Sequence, residues 1–296
     1  MIVGLTGGMG LIGKALRQKL EMPVVLLVRG EAGNLLKKNE TVVVGNFSDK
    51  NVSEKFVSGL NILIHAATGV GPRSEFEDRF VQDDLVGTIN LAKTFFAKNP
   101  DGHFIYLSTA GGLYDLDDHS IKIEESELNP TSLYGAIKLI IENSLEGLGI
   151  VTILRPAPIY GDSFKKNKTT GLIDKLLYST IDESVEGKVV IFDRLESARD
   201  YLHVDDMVQA VLKVMDRNLE SSFEIYNVGS GVETSIEDVI KLVNEISEKK
   251  VRVEIQMVSK EPTSLIVDSR KLFTATGWET VILLKDGIRK MYNEII

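Results

Sequence analysis

The sequence predicts an α/β fold, a Rossmann-type doubly wound parallel sheet with a smaller C-terminal substrate-binding lobe. Three observations predict it. Short apolar runs without polar alternation recur as far as Arg155, separated by stretches with helical periodicity. The first run leads straight into a glycine-spaced turn, Gly7-Gly8-Met9-Gly10-Leu11-Ile12-Gly13. After Gly161 the rhythm changes to polar stretches and isolated helices.

The expected strands are Ile2–Thr6, Val24–Val28, Thr41–Val44, Ile62–His65, Phe104–Ser108 and Val151–Arg155. Runs rich in Val, Ile and Leu suit strands buried on both faces of a parallel sheet. Helices are expected between them. Leu11–Leu20 aligns Leu11, Ile12, Ala15, Leu16 and Leu20; Asp84–Phe96 aligns Leu85, Ile89, Ala92 and Phe96; Tyr134–Glu146 aligns Ile137, Ile140, Ile141 and Leu145. Strand–helix alternation implies right-handed crossovers. Beyond Gly161, Ser163–Thr170 with Lys165, Lys166 and Lys168 reads as a mobile loop, and Val189–Phe192 as a strand. Val204–Val214 and Ser235–Ile246 read as helices, the latter capped by Ser235, and Asp268–Ala275 as a short one. The expected division is therefore 1–160 for dinucleotide binding, with 199–216 returning to it, and 161–296 mainly for substrate.

At 296 residues and 43% hydrophobic content the chain can bury a sizeable core. A net charge of −9 opposes general nucleic-acid binding, which needs clustered Lys and Arg. The absence of cysteine excludes disulfides and thiolate metal sites and fits a cytoplasmic protein. The four histidines, His65, His103, His119 and His203, carry no metal-ligand spacing, so no metal is expected. The apolar run Met1–Leu5 is too short for a signal-peptide core, and no stretch approaches a bilayer span.

The glycine turn carries the first functional expectation. Gly7 lets the chain turn, Gly10 clears space for a pyrophosphate, and Gly13 lets the helix pack on the sheet. The helix N-terminus then faces the phosphates with free amides. A ribose-binding acid is expected at the end of the second strand, but Val28 and Arg29 stand there. Arg29 could pair with a 2′-phosphate, which points to NADP(H); NAD stays open, with Arg29 then a solvated surface residue.

Tyr134 and Lys138 lie four apart on one helix face. A phenol titrates near pH 10, too high for a neutral-pH base, and a neighbouring ammonium favours the phenolate. Lys138 can also hold the cofactor ribose. Ser108 and Thr109 end the fifth strand, where carboxyl ends face the cofactor crevice. Thr109 is preferred to Ser108 as the hydroxyl that bonds the reacting sugar oxygen with Tyr134, and the alternative is that both cap the loop.

With Thr6–Gly13, His65–Ala67, Leu107–Tyr114, Tyr134–Lys138, Leu154–Gly161, Arg199–Asp206 and Tyr226–Gly231 in view, the chain resembles the extended short-chain dehydrogenase/reductases of the NAD-dependent epimerase/dehydratase family over nearly its whole length. The resemblance implies a nicotinamide dinucleotide, a nucleoside-diphosphate sugar and a homodimer. It places the cofactor along Gly7, Gly10, Leu11, Ile12, Gly13 and Arg29, with Asn46 and Phe47 at adenine and Ala66, Ala67, Tyr134, Lys138 and Pro156 lining it. Substrate would meet Ser108, Thr109, Tyr134 and Pro158, and Arg199 would grip its diphosphate. The chain also departs from the family. Asn46 replaces a usual aspartate, Asp84 a usual asparagine, and Pro158 a frequent substrate-binding asparagine; the Leu107–Tyr114 loop looks one residue longer than usual.

Ala110 and Gly111 stand where the family's dehydratases carry Asp-Glu, which disfavours elimination. The 3,5-epimerase-reductases use a cysteine acid, absent here. Two reactions remain: reduction of a 4-keto-6-deoxy sugar by NADPH, favoured by Arg29 and the short chain, and 4-epimerisation of a UDP-hexose, favoured by the loop after Thr109. A non-catalytic dinucleotide sensor is the alternative of another class, opposed by intact Thr109, Tyr134 and Lys138.

Overall fold

The computed structural model describes residues 1–30, 36–72, 74–161, 171–181, 189–191, 194–216, 221–247, 249–256, 261 and 263–296. The expected loop Ser163–Thr170, with its three lysines, and Phe192 at the end of an expected strand lie outside the described residues. The chain packs as two compact units. One comprises Met1–Tyr114, Glu127–Arg155 and Val208–Tyr226; the other comprises Asp115–Ser126, Pro156–Met207 and Asn227–Ile296.

A parallel sheet organises the first unit. Its strands β1 (Val3–Thr6), β2 (Val24–Val28), β3 (Glu40–Val44), β4 (Ile62–His65), β5 (His103–Leu107) and β6 (Ile150–Pro156) match the expected runs within a residue or two. A seventh strand, Phe223–Val228, closes the edge beside β6. Sequence periodicity did not single it out. Val151 N–H donates to Ser222 and Ala157 N–H to Val228, so register advances together on both strands and this pair is parallel too. From that edge the order runs β6, β5, β4, β1, β2, β3. The chain thus winds outward from β1 through β2 and β3, then returns to place β4 on the other side of β1. That reversal opens a crevice at the carboxyl ends of β1 and β4.

Helices α1 (Leu11–Lys19), α2 (Lys50–Phe56), α3 (Gly87–Lys98) and α4 (Leu133–Leu145) accompany the sheet. Their apolar faces supply Phe56, Leu91, Phe95, Ile137 and Ile141, which pack with Leu63, Phe104 and Ile153 of the strands into a continuous core. The second expected helix, Asp84–Phe96, begins earlier than periodicity indicates. Phe80–Val86 forms a π-helical segment, with Gly87 N–H reaching back to the Gln82 carbonyl, before α-helical α3 starts. Wider turns of this kind are frequent at functional sites.

In the second unit, α5 (Leu172–Ile181), α7 (Ile236–Ile246) and α9 (Leu284–Ile295) bury Leu176, Leu177, Val239, Val243, Ile288 and Met291 around Tyr160. Ser235 caps α7 as expected, accepting from Asp238 N–H at 3.1 Å. Helix α6 (Val204–Met215) bridges the grouping, with its last two turns in the first unit. Short α8 (Arg270–Thr276) ends on Gly277 in the left-handed region. No helix among the described residues is long and apolar enough to cross a membrane.

Candidate active site

The crevice of the first unit holds a cavity of about 610 Å³. Its wall is made where strands end. Thr6–Gly10 end and follow β1, Val28–Gly30 end and follow β2, Gly45–Phe47 follow β3, and Ala66–Gly69 follow β4; Phe80, Asp83 and Asp84 come from the π-helical segment and Arg79 immediately precedes it. Of the expected cofactor residues, the cavity gathers Gly7, Gly10, Arg29, Asn46, Phe47, Ala66 and Ala67. Leu11, Ile12 and Gly13 form the first turn of α1 behind it. Pro156 ends β6 and belongs to the second unit.

The cavity floor suits a dinucleotide. Gly7 adopts φ +71°, and a Cβ on Gly13 would overlap the Gly7 carbonyl oxygen, so turn and helix meet as bare backbone. A bidentate buried ion pair braces the turn from below: Arg17 Nε and Nη2 donate to Glu40 at 2.8 and 2.7 Å. The Arg17 guanidinium also reaches the Gly8 carbonyl at 3.4 Å. Arg29 is exposed at the rim and makes no ion pair with a described residue. Phe47 sets its ring edge-on against His65, 5.0 Å between centroids. His65 is buried between Thr6 and Thr88 hydroxyls at 2.9 and 3.0 Å, and burial drives its pKa down to about 3.

A second cluster stands on β5 and α4. Ser132 caps α4 by accepting from Gly135 N–H at 3.1 Å, which starts the helix just before Tyr134 and Lys138. The Thr109 hydroxyl and the Tyr134 phenol share a hydrogen bond. Ser108 is turned elsewhere, hydrogen-bonded to Glu142. The two hydroxyls left open by the sequence therefore have different partners. Lys138 is buried, donates to the Leu107 carbonyl at 2.7 Å, and lies 4.6 Å from the Tyr106 ring centre and 5.8 Å from that of Tyr134.

The electrostatics differ from the simple expectation of a lowered phenol pKa. Burial raises the Tyr134 phenol above its usual range, with the Thr109 hydrogen bond opposing. Burial lowers Lys138 to about 8, while the negative charges of Asp84 and then Glu142 act the other way. The ammonium sits nearer Tyr106 than Tyr134, so its charge is not aimed at the phenol alone.

Sequence reasoning missed two parts of this site. Glu142 and Arg155 form a buried pair, with Nη2 to Oε2 at 2.7 Å, and Arg155 Nη1 donates to the Tyr114 hydroxyl at 3.0 Å. Glu142 lies one helical turn beyond Lys138, a spacing that could have flagged it. Asp84 was noted only as a departure. It is buried, accepts from Gly69 N–H at 2.7 Å and lines the cavity.

Expected substrate residues Pro158 and Arg199 lie in the second unit. The Pro158 carbonyl accepts from Leu202 N–H at 2.9 Å. Arg199, on the strand Ala198–Asp200, donates to the Ala198 and Thr263 carbonyls and to the Thr263 hydroxyl at 2.7–2.9 Å. The neighbouring acids of that motif are anchors. Asp200 receives Ser230 and Gly231 N–H, and Asp206 receives Val281 and Ile282 N–H.

Comparisons with known proteins agree with this arrangement. A dTDP-4-dehydro-6-deoxyglucose reductase of Escherichia coli is 26% identical, over 98% of this chain and 96% of that protein. A UDP-glucose 4-epimerase of Corynebacterium glutamicum is 23% identical, over 92% and 89%. The structure of Thermotoga maritima UDP-glucose 4-epimerase with UDP-glucose shares the fold, with a TM-score of 0.85 at 24% identity, over 100% of this chain and 99% of that one. Residues 3–229, which carry the glycine turn, the β5 hydroxyls and the tyrosine–lysine helix, match the model of one family, and the chain belongs to the NAD dependent epimerase/dehydratase family.

Proposed function

We propose that this chain is an NADP(H)-dependent reductase of a 4-keto-6-deoxy nucleotide sugar. The observation that carries the choice is Arg29. It stands at the end of β2 on the cavity rim, where a ribose-binding acid would select NAD, and it is uncommitted to a described acid. A guanidinium there suits a 2′-phosphate. A loosely held, exchangeable NADPH in turn suits net reduction, which consumes one cofactor per turnover.

The Gly7–Gly13 turn, Arg29, Asn46, Phe47, Ala66 and Ala67 would hold the dinucleotide, which when bound would supply the hydride. Tyr134 gives its phenolic proton to the sugar oxygen on carbon 4, where negative charge develops as carbon 4 accepts the hydride. Thr109, already hydrogen-bonded to that phenol, aligns the same oxygen. Lys138 holds a positive charge beside the phenol, which lessens the cost of forming phenolate. The expected homodimer and cytoplasmic placement belong to the same reading; exposed Ile140 on α4 offers an apolar contact for a second copy.

The second reading is UDP-hexose 4-epimerisation, supported by the Corynebacterium glutamicum relative. Purified protein incubated with NADPH or NADH and a panel of dTDP-, GDP- and UDP-4-keto sugars tests the choice. Stoichiometric loss of 340 nm absorbance, faster with NADPH, is expected. Interconversion of UDP-hexoses with no added cofactor would replace the reductase by the epimerase. Tight cofactor binding with neither reaction would indicate the sensor.

A further inference from the structure

One end of the cavity beside the glycine turn is polar, and it lies at the loop after β3. Asn46 and Asp83 both line the cavity, and Ser48 ties them together. The Ser48 N–H donates to Asn46 Oδ1 at 3.2 Å, and the Ser48 hydroxyl donates to Asp83 Oδ1 at 2.8 Å. A backbone N–H can only donate, so the bonded atom of Asn46 is its carbonyl oxygen, and its NH2 group is left over. Neither that NH2 group nor Asp83 Oδ2 has a hydrogen-bond partner among the described residues. A bare glycine lets the two segments close on each other: a Cβ on Gly87, at the start of α3, would stand 3.1 Å from the Phe47 ring and 3.2 Å from the Ser48 Cβ. The loop end of the cavity thus presents a carboxylate, which can only accept, near an amide NH2, which can only donate, with Phe47 as apolar wall.

Strand order says which half of a dinucleotide would reach this end. The hydrogen-bonded Thr109 and Tyr134 stand beyond β5, and the glycine turn follows β1. Strands β2 and β3 lie on the far side of β1 from β5. With its nicotinamide toward Tyr134 and its diphosphate over the glycine turn, the cofactor carries its adenosine out across β2 and β3. Arg29, at the end of β2, meets the ribose, so the base falls at β3. We propose that Asp83 is the residue that selects the base of the cofactor: it accepts from the exocyclic amine of adenine, while the Asn46 NH2 donates to the neighbouring ring nitrogen. The inference rests on the cofactor site proposed above. Adenine places an amine donor beside a ring-nitrogen acceptor, the complement of a carboxylate beside an NH2 group. Hypoxanthine carries a carbonyl oxygen in place of the amine and would set acceptor against acceptor. With asparagine instead of the family's usual aspartate at position 46, the acceptor comes from the π-helical segment, pinned there by Ser48.

The test compares four reduced dinucleotides by fluorescence titration of the intact protein: NADPH, NADH and the counterpart of each with hypoxanthine in place of adenine. All four share the nicotinamide that reports binding, so no sugar substrate is needed. Within each pair, wild type is expected to bind the adenine form about 10–100-fold more tightly, the range for a hydrogen bond to a charged group. Asp83→Asn should bring the two bases within about threefold of each other, because an amide can turn either its donor or its acceptor to the base. Equal wild-type affinities overturn the proposal, and so does an unchanged preference in folded Asp83→Asn. Should that variant not fold, Ser48→Ala releases the carboxylate from its hydroxyl while altering no residue of the cavity wall. The adenine preference should fall there too, and an unchanged one overturns the assignment. An adenine preference seen with NADH and NADPH bound equally well, or with no nucleotide sugar turned over, supports Asp83 and instead overturns the proposed reductase. Failure of all four to bind overturns both.

Discussion

Thr109 and Ser108 are adjacent hydroxyls on one strand end, yet one meets a phenol and the other a carboxylate. That difference decides which of them can share a proton with Tyr134. Replacing Tyr134 by Phe would remove the proposed proton donor and the Thr109 hydrogen bond while leaving the glycine-turn cavity intact. Tyr134→Phe is expected to lower kcat by about 10²–10⁴-fold, the usual range for a general acid, with the NADPH dissociation constant unchanged. Stopped-flow turnover and fluorescence titration would check both halves; a retained kcat would remove Tyr134 from the chemistry. At this scale the sequence was explicit about residue type and silent about partners. Tyr134, Lys138 and the glycines could be singled out as candidates because their spacing coincides with their place in the strand–helix order. The roles of Ser108, Glu142 and Asp84 were not, because each depends on a contact between segments far apart in the chain.

Helix α4 and the turn after β5 approach more closely than side chains would allow. A Cβ on Gly135 would overlap the Gly112 carbonyl oxygen and crowd Pro130. Gly135→Ala must therefore push the 109–114 turn away from α4 and stretch the Thr109–Tyr134 hydrogen bond. Overpacking of this kind costs about 1–3 kcal/mol. The expected result is a lower melting temperature and a reduced kcat with cofactor binding preserved, read by thermal denaturation and steady-state kinetics. Unchanged melting and kcat would show that the turn yields freely. Six strands were legible because buried parallel strands are uniformly apolar. Other elements were hidden for distinct reasons. In α9, Leu284, Ile288, Met291 and Ile295 keep helical spacing, but the run Val281–Leu284 before it reads like a strand. The signal for α2 was Asp49, whose carboxylate caps Asn51 and Val52 N–H. The π-helical turn, which packs against α3 and α4, was not marked by the periodicity of the sequence.

For the whole molecule, buried histidine sets an acid limit on stability. The folded-state pKa of His65, about 3, lies below its value of about 6.5 in an unfolded chain. Between those values the unfolded state binds the extra proton, so stability falls as pH drops from 6.5. His203 is lowered too, again by burial, and adds to the same slope. Glu40, held low by Arg17, contributes only below its ordinary carboxylate range. Asp84, Glu124 and Asp200, raised by burial, act the other way because the folded state then holds the proton, so the His65 contribution is read from the difference between wild type and variant. Urea unfolding should show a loss of about 1.4 kcal/mol per pH unit from His65, and His65→Gln should flatten the curve by that amount. An identical slope in the variant would mean that the imidazole finds its proton without unfolding. The change of rhythm after Gly161 suggested a boundary at residue 160, whereas the two compact units are interleaved along the chain. The return of Val208–Tyr226 to the first unit was only partly visible, because long-range strand order leaves no local trace.

That return has a consequence for how such a protein can be altered. The unit built around the sheet is gathered from three separate stretches of chain. A truncation after residue 207 would strip away the outermost strand and leave β6 with a row of bare amides and carbonyls. Exposed edges of that sort recruit strands from neighbouring molecules and seed aggregates. Neither half can be lifted out as a cassette by a single cut, so recombination that swaps cofactor or sugar preference must exchange interleaved segments together.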